Sequence, residues 1–393
     1  MLTKNRMKGR LYRGVFMKLE LVAPCHFGLE AVLKKEIQDL GYEIAKVEDG
    51  RVFFFAEEDG LARANIFLRS CERVLLKVGE FAADTFDELF ENTKALPWEN
   101  YLPADGKFWV KKASSVSSKL FSPSDIQRIV KKAIVERLKQ TYHKEWFEES
   151  GADYPLRVFI HKDNVLVTID TTGESLHKRG YRALASKAPI SETLASALIA
   201  LTPWKKDRIL VDPFCGSGTF PIEAAMMACK MAPGMNRDFL SQEWKNLLSK
   251  KVWYNAIDEA NDLIDLPEEM DIQGYDIDPQ VIKVARHNAK LAGVDKYIHF
   301  QQRDVKDLSH PKKYGFLITN PPYGERLEDK NNLPELYRIF GERFRALDSW
   351  SAFFITSYED AQKYFGGKAT KNRKIYNGMI KTYFYQYMGP KPR

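Results

Sequence analysis

A buried apolar strand, Arg208-Ile209-Leu210-Val211-Asp212, runs straight into the turn Pro213-Phe214-Cys215-Gly216-Ser217-Gly218-Thr219, and Gly216 to Met231 carries that turn into a helix. This junction limits the fold more than any other segment. Glycines let a backbone approach a ligand or another element closely, and the first turn of the helix offers unpaired N–H groups. Strand–helix alternation continues beyond it. Ser191 to Leu201 reads as a helix before the junction, and Asp271 to Asp276 as the next strand after it. Pro279 to Ala292 is a helix, Tyr297 to Gln301 and Tyr314 to Thr319 are strands, Pro334 to Leu347 is a helix and Ser351 to Thr356 a strand. Such alternation specifies a mostly parallel sheet with helices on both faces. Ile380 to Met388, with alternating aromatics, is expected as an antiparallel edge strand. Residues 234 to 270, polar and Trp-containing, give no reading.

The first half has a different rhythm. Lys18 to Val22 is a short strand, and Gly28 to Leu40 is an amphipathic helix with Leu29, Val32, Leu33, Ile37 and Leu40 on one face. Tyr42 to Val47 and Arg51 to Ala56 are strands around an Asp49-Gly50 turn; Leu61 to Arg69 is a helix and Arg73 to Val78 a strand. The order βαββαβ is a ferredoxin-like arrangement. A second α+β unit follows, with a helix over Phe86 to Leu96 and a strand over Lys107 to Lys112. Ser122-Pro123-Ser124-Asp125 opens a long helix, and Leu156 to Ile160 pairs with Val165 to Ile169 as a hairpin.

With 393 residues, 44% of them hydrophobic and 29% charged, the chain can bury a large core and suggests two or three domains. Lys+Arg 60 against Asp+Glu 53 gives a net charge of +7, which permits a polyanionic partner without requiring one. Between Lys111 and Lys144 the basic residues far outnumber Asp125 and Glu136. Lys111, Lys112, Lys131 and Lys132 read either as a solvated face or as an RNA-backbone surface. The connector Leu176-His177-Lys178-Arg179-Gly180-Tyr181-Arg182 is more basic and aromatic than joining two domains requires. His177, Lys178, Arg179, Tyr181 and Arg182 are therefore candidate RNA contacts, with His177 not read as a general base. The four cysteines include no CxxC pair, so neither a disulfide framework nor a metal site is expected, and a reducing cytoplasm fits. No run of apolar residues is long enough to span a membrane. Residues 1–16 are expected as a disordered basic tail ahead of a second methionine, Met17.

Three positions along the parallel-sheet half suggest a bound cofactor. The turn from Asp212 to Thr219 lacks both the third glycine of a dinucleotide fingerprint and the Gly-Lys-Ser/Thr of a P-loop. The next strand ends at Asp276-Ile277, where a carboxylate can accept ribose hydroxyls. The strand after that ends near Asp304-Val305, where an acid can accept an adenine amino group. About a hundred residues after the turn comes Asn320-Pro321-Pro322-Tyr323, at the end of a strand. The Asn320 side-chain carbonyl and the Pro321 backbone carbonyl can each accept one hydrogen of an exocyclic base amine. The prolines preset the backbone, and Tyr323 can stack on the base. The base must be single-stranded or flipped out to enter. Any one of these segments alone also admits an ordinary turn or cap. Cys215 and Cys229 raise base-carbon chemistry through a thiol, but neither lies beside Pro321-Pro322 in sequence, and it is set aside.

Leu176 to Arg182, Asp212 to Thr219 and Asn320-Pro321-Pro322-Tyr323-Gly324-Glu325-Arg326 together resemble the bacterial THUMP-containing, class I methyltransferases of 23S rRNA that act on guanine N2. The resemblance implies S-adenosyl-L-methionine as cofactor, held by Asp212, Pro213, Phe214, Cys215, Gly216, Ser217, Gly218, Thr219, Asp276, Ile277, Asp304, Val305 and Asn320. It implies Asn320, Pro321, Pro322 and Tyr323 as the catalytic segment. It implies 23S rRNA or a ribosomal assembly intermediate as partner. The expected architecture is α/β: a ferredoxin-like unit over 17–80, a THUMP unit over 81–172, a connector over 173–189, and a Rossmann-like methyltransferase domain over 190–393 with a mostly parallel seven-stranded sheet. Two other readings stay open: N6-adenine methylation, since the same tetrapeptide serves adenine amines, and a non-catalytic RNA-binding protein with a vestigial donor site.

Overall fold

The computed structural model describes residues 18–182, 190–324, 331–378 and 380–392. The expected tail, the end of the connector, and Glu325 and Arg326 of the third motif lie outside the described residues.

The N-terminal half contains β1 (Leu19–Pro24), β2 (Glu43–Glu48), β3 (Arg51–Ala56), β4 (Leu75–Ala82), β5 (Lys107–Val116), β6 (Asp153–His161) and β7 (Asn164–Asp170). They form one seven-stranded sheet in the order β2-β3-β1-β4-β7-β6-β5. Sequence periodicity separates a ferredoxin-like unit from a second α+β unit. The structure joins them, because β4 pairs with β1 on one side and antiparallel with β7 on the other. Ser122 caps the long helix Pro123–Tyr142 by accepting from Asp125 N, and proline occupies the first helical turn.

The C-terminal half holds β8 (Leu210–Asp212), β9 (Ile272–Asp276), β10 (Ile298–Gln302), β11 (Phe316–Thr319), β12 (Ser351–Thr356), β13 (Lys371–Asn377) and β14 (Ile380–Tyr387). Their order is β10-β9-β8-β11-β12-β14-β13, with β8 to β12 parallel and the last two antiparallel. The final strand was expected at the edge. It lies inside, between β12 and β13, and β13 is the edge strand. The sequence Lys-Asn-Arg-Lys-Ile-Tyr-Asn hides β13, because only Ile375 in it is buried. Polar, cationic residues on an edge strand discourage pairing with other chains and obscure the period-two pattern.

The uninterpreted insertion proves to be a clamp. Its helix Lys250–Asp262 and the preceding turns send Phe239, Trp244, Leu248, Trp253, Ala256 and Ala260 into the core of the N-terminal half. Trp244 stacks on Tyr154 at 4.8 Å and donates through Nε1 to Asp153 O at 3.0 Å. Arg63 forms a two-pronged pair with Glu259, at 2.7 and 2.8 Å. In exchange, Leu29 and Val32, beside and on the first helix Glu30–Asp39, belong to the core of the C-terminal half with Ile375 and Leu194. Each half thus completes the other's apolar core.

Candidate active site

The active-site elements meet at the carboxyl ends of β8, β9, β10 and β11, where open α/β sheets leave a crevice. A cavity of about 500 Å³ there is lined by Asp212, Pro213, Phe214, Cys215, Gly216, Ser217, Thr219, Asp276, Ile277, Asp304, Val305 and Asn320 to Gly324. The glycine turn after β8 and the Asn-Pro-Pro-Tyr segment after β11 therefore face one space. Ile190, Phe220, Arg303, Asn332, Leu333 and Leu336 also line it and escaped the sequence reading. Their only signal was adjacency, since Arg303 precedes Asp304 and Phe220 follows Thr219.

The turn is held open from below. Cys215 N donates to Tyr275 O at 2.8 Å, and Gly216 N to Asp276 Oδ2 at 3.0 Å. Gly216 has φ +51, and a Cβ added there would meet nothing within 4 Å, so the space above it is free for a ligand. Gly218, expected at the cofactor, packs away from the cavity. At φ +88, a Cβ on it would strike Phe300 at 2.9 Å. It lets the helix Thr219–Ala228 pack against β10, and that helix begins with no side-chain cap and no acidic residue in its first turn.

The carboxylates are braced by backbone. Asp212 is buried, and its Oδ1 accepts from Phe214 N at 3.1 Å and Thr319 Oγ1 at 2.5 Å. Burial pushes its carboxyl up to about 7, against the pull of those two bonds. Asp276 is raised as well, by burial foremost, while the N–H groups of Asp278 and Gly216 hold it down. Asp304 caps a short turn by accepting from Lys306 N at 3.0 Å and lies 3.3 Å from Lys306 Nζ. Ile277, 65% exposed beside Asp276, offers a flat apolar surface at the cavity lip. The hydroxyl of Ser217 is buried in the lining with no hydrogen-bond partner among the described residues. A buried polar atom left this way fits a ligand that supplies the missing bond. Burial raises the Cys215 thiol well above its ordinary value, so it is no nucleophile at neutral pH.

Asn320 follows β11 directly and is half-buried; Pro321 is buried and Pro322 exposed. Tyr337 Oη donates to Pro322 O at 3.1 Å, fixing the turn.

The connector is corrected by the structure. Tyr181 is buried and donates to Glu223 Oε1 at 3.0 Å. Arg179 is buried, donates at 2.6 Å to both Leu176 O and Arg69 O, and lies 3.6 Å from Glu223. Arg182 bonds Ile190 O and Thr219 Oγ1 and pairs with Glu192. Arg179 and Tyr181 thus lock the two halves together and present no surface to RNA. His177 pairs with Glu72 and Lys178 with Glu174, at the surface. On the second α+β unit, folding supplies acids the sequence window lacked: Arg137 meets Glu99, Lys119 meets Asp84, and Lys131 lies 3.6 Å from Glu149. Lys111, Lys112 and Lys132 remain exposed. A register shift between Val110 and Lys112 turns two successive lysines of edge strand β5 outward.

A seven-stranded sheet of this order, with a glycine turn, two strand-tip acids and Asn-Pro-Pro-Tyr on one cavity, defines a class I, S-adenosylmethionine-dependent methyltransferase. The family model described as the RMKL-like methyltransferase domain matches residues 179–386, that of the RlmL ferredoxin-like domain 20–75 and that of the THUMP domain 83–170. The chain belongs to this family of RMKL-like, THUMP-containing RNA methyltransferases. It is 46% identical over 372 residues to the "Putative RNA methyltransferase YpsC" of Bacillus subtilis (strain 168), covering 94% of this chain and 96% of that one. It is 33% identical to the "Ribosomal RNA large subunit methyltransferase K/L" of Syntrophotalea carbinolica, covering 90% of this chain and 51% of that protein. The chain thus spans about half the length of the K/L relatives. Among solved structures, a possible methylase from Clostridium difficile 630 superposes with TM-score 0.93 at 54% identity, covering 96% of this chain and 99% of that one. The putative methyltransferase SMU.472, complexed with SAH, superposes with TM-score 0.90 at 43% identity, covering 96% and 99%.

Proposed function

We propose that this enzyme methylates the exocyclic N2 of a guanine in 23S rRNA, in the cytosol. One observation carries the reading: Asn320 and the turn at Gly216 line the same cavity, so a base amine at the first faces a donor at the second. The donor supplies an electrophilic methyl carbon, which the amine lone pair attacks as the carbon–sulfur bond breaks and its electrons stay on sulfur. The protein's task is positioning. The Asn320 side-chain carbonyl and the Pro321 carbonyl accept the two amine hydrogens, which aims the lone pair and holds the extra proton until water takes it. Asp212 and Asp276 supply negative charge beside the cationic donor. Tyr323 offers the base a face that offsets lost stacking. The exposed Lys111, Lys112 and Lys132 of the THUMP unit serve as phosphate contacts, with His177 and Lys178 beside the domain junction; Arg182, engaged by Ile190, Thr219 and Glu192, does not.

A second reading has one observation in its favour. A 48% identical structure from Listeria monocytogenes str. 4b F2365 is described as a "predicted N6-adenine-specific DNA methylase". One experiment separates the two: labelled donor is offered to rRNA from a strain lacking the enzyme and, in parallel, to DNA, and the products are digested to nucleosides. N2-methylguanosine from 23S rRNA supports the proposal. N6-methyladenine, or label in DNA alone, overturns it. Donor binding without turnover on any nucleic acid would leave a vestigial site.

A further inference from the structure

Among the described residues of the C-terminal half, four lysines lie over a tyrosine ring, and three of them gather: Lys363 over Tyr364 at 5.0 Å, Lys374 over Tyr376 at 5.1 Å and Lys381 over Tyr383 at 5.2 Å, while Lys296 over Tyr297 sits by β10 at the opposite edge. Sequence proximity explains each pair alone, since Lys363 and Tyr364 are adjacent in a short helix and residues i and i+2 of a strand, as in the other two pairs, share a face. It does not explain their gathering in one place. Thr356 of β12 opposes Tyr383 of β14, Tyr383 opposes Lys374 of β13, and Lys381 opposes Tyr376. Thr356 in turn shares a 2.7 Å hydrogen bond with Tyr337, whose hydroxyl reaches Pro322 O. Tyr358, just past β12, lies 5.2 Å from Tyr337 and stacks on Tyr364 at 6.2 Å and 9°. A rim of lysine and tyrosine thus crosses the sheet end, linked to the Asn-Pro-Pro-Tyr segment through buried Tyr337 and Thr356. Three strand spacings place its far side about 14 Å from β11.

The rim's lysines, Lys363, Lys374 and Lys381, are exposed and carry no salt bridge among the described residues. The THUMP-side cations Arg128, Arg137 and Lys139 are neutralised. Glu359 and Asp360 follow β12, and Glu359 lies near enough to Lys381 to act on its charge. Phe27, 52% exposed, stands edge-on to Tyr376 at 6.2 Å and extends the aromatic surface onto the N-terminal half. Cations interleaved with aromatic faces are what an unpaired strand needs, phosphates meeting ammonium groups while bases stack.

Building on the proposed RNA methylation, we infer that this rim is a track for single-stranded RNA, holding the nucleotides beside the target base as that base enters the cavity. The test uses the whole protein with Lys363→Gln, Lys374→Gln and Lys381→Gln combined, all exposed positions whose loss leaves the core intact. Binding of a fluorescein-labelled oligouridylate is measured against salt, together with methylation of 23S rRNA transcribed in vitro and donor binding by calorimetry. The slope of log affinity against log salt should flatten by about 2, from roughly 0.7 per phosphate contact. KM for the rRNA should rise about tenfold or more, with kcat within about twofold and donor affinity unchanged. Phe27→Ala should weaken binding of the same probe without moving the slope, as lost stacking does. If the wild type methylates the rRNA and the triple variant keeps both its slope and its KM, the track is refuted while the methylation reading stands. If the wild type methylates DNA and no RNA, the methylation reading falls and takes the track with it.

Discussion

The hydroxyl of Tyr337 lies 3.1 Å from the carbonyl oxygen of Pro322 and 2.7 Å from Thr356 Oγ1. One phenol has one proton, so Tyr337 donates to Pro322 and accepts from Thr356. Tyr337 is buried, and burial drives its pKa far above the ordinary phenol value, so the donor role is permanent at physiological pH. This pair ties the Asn-Pro-Pro-Tyr turn to the end of β12. Tyr337→Phe should cost about 1–2 kcal/mol of stability in a thermal or denaturant melt. It should also lower kcat about tenfold while leaving donor affinity unchanged by calorimetry, because the turn loses its brace and the donor contacts do not. Donor affinity falling as much as kcat would show that Tyr337 shapes the donor site instead.

Asn320→Ala should reduce turnover by roughly 100-fold or more, the scale of removing one preorganised polar group from a reacting centre. Single-turnover methylation and calorimetry on the same variant check both halves of the statement. Donor affinity should survive, since the Gly216 turn and Asp276 are untouched. Collapse of donor binding would mean that Asn320 holds the donor rather than the acceptor.

The cavity's lining was legible because it sits in unbroken segments. A glycine turn, two strand-tip acids and Asn-Pro-Pro-Tyr each declare themselves within a few residues, and strand alternation predicts that all face one crevice. What failed was long-range. Arg179 and Tyr181 carry the composition of RNA contacts, yet Glu223 and Arg69, distant in sequence, claim them. Lys131 faced water by helical spacing, but Glu149 comes within 3.6 Å of it. Trp244 and Trp253 looked like residues of a polar insertion because the core they enter belongs to the other half of the chain. Strand β13 stayed hidden because an edge strand needs only one buried side chain to hold its place.

Asp212 should make the donor-free protein's stability depend on pH. Its carboxyl titrates near 7 in the fold and at 3.8 without burial, so between those values the folded state binds more protons than the unfolded one. Stability therefore falls as pH rises through that window, by linkage. Asp212→Asn should remove this part of the slope in melts taken across it. A cationic donor favours the carboxylate, so donor affinity should weaken as pH falls below about 7 and should not do so in Asp212→Asn. Calorimetry of both proteins across that range decides it. A wild-type affinity flat with pH would show that Asp212 is already ionised.

Glu72 is where the two halves meet electrostatically. Its carboxylate takes hydrogen bonds from Ser175 Oγ at 2.9 Å and His177 Nδ1 at 3.2 Å, and from Thr193 Oγ1, and it lies 3.3 Å from His26 Nε2. Burial alone would raise its pKa, but the bonds from His177, His26 and Thr193 outweigh burial and hold it well below the usual carboxylate range. The same contact raises His26 against the opposing effect of its own burial. The two contributions run in opposite senses. The Glu72 part is present above the unfolded value of 4.5 and is lost as pH falls through its depressed value. The His26 part is full below 6.5 and is lost as pH rises through its raised value. Glu72→Gln should therefore lower the melting midpoint most on the acid side of 6.5, where the charged histidine loses its partner. In the same variant the His26 ring should titrate at lower pH by NMR, now that burial opposes only the Tyr376 carbonyl and the Ser191 hydroxyl. An unchanged His26 titration would place its proton on the Tyr376 side and leave Glu72 to His177 and Thr193.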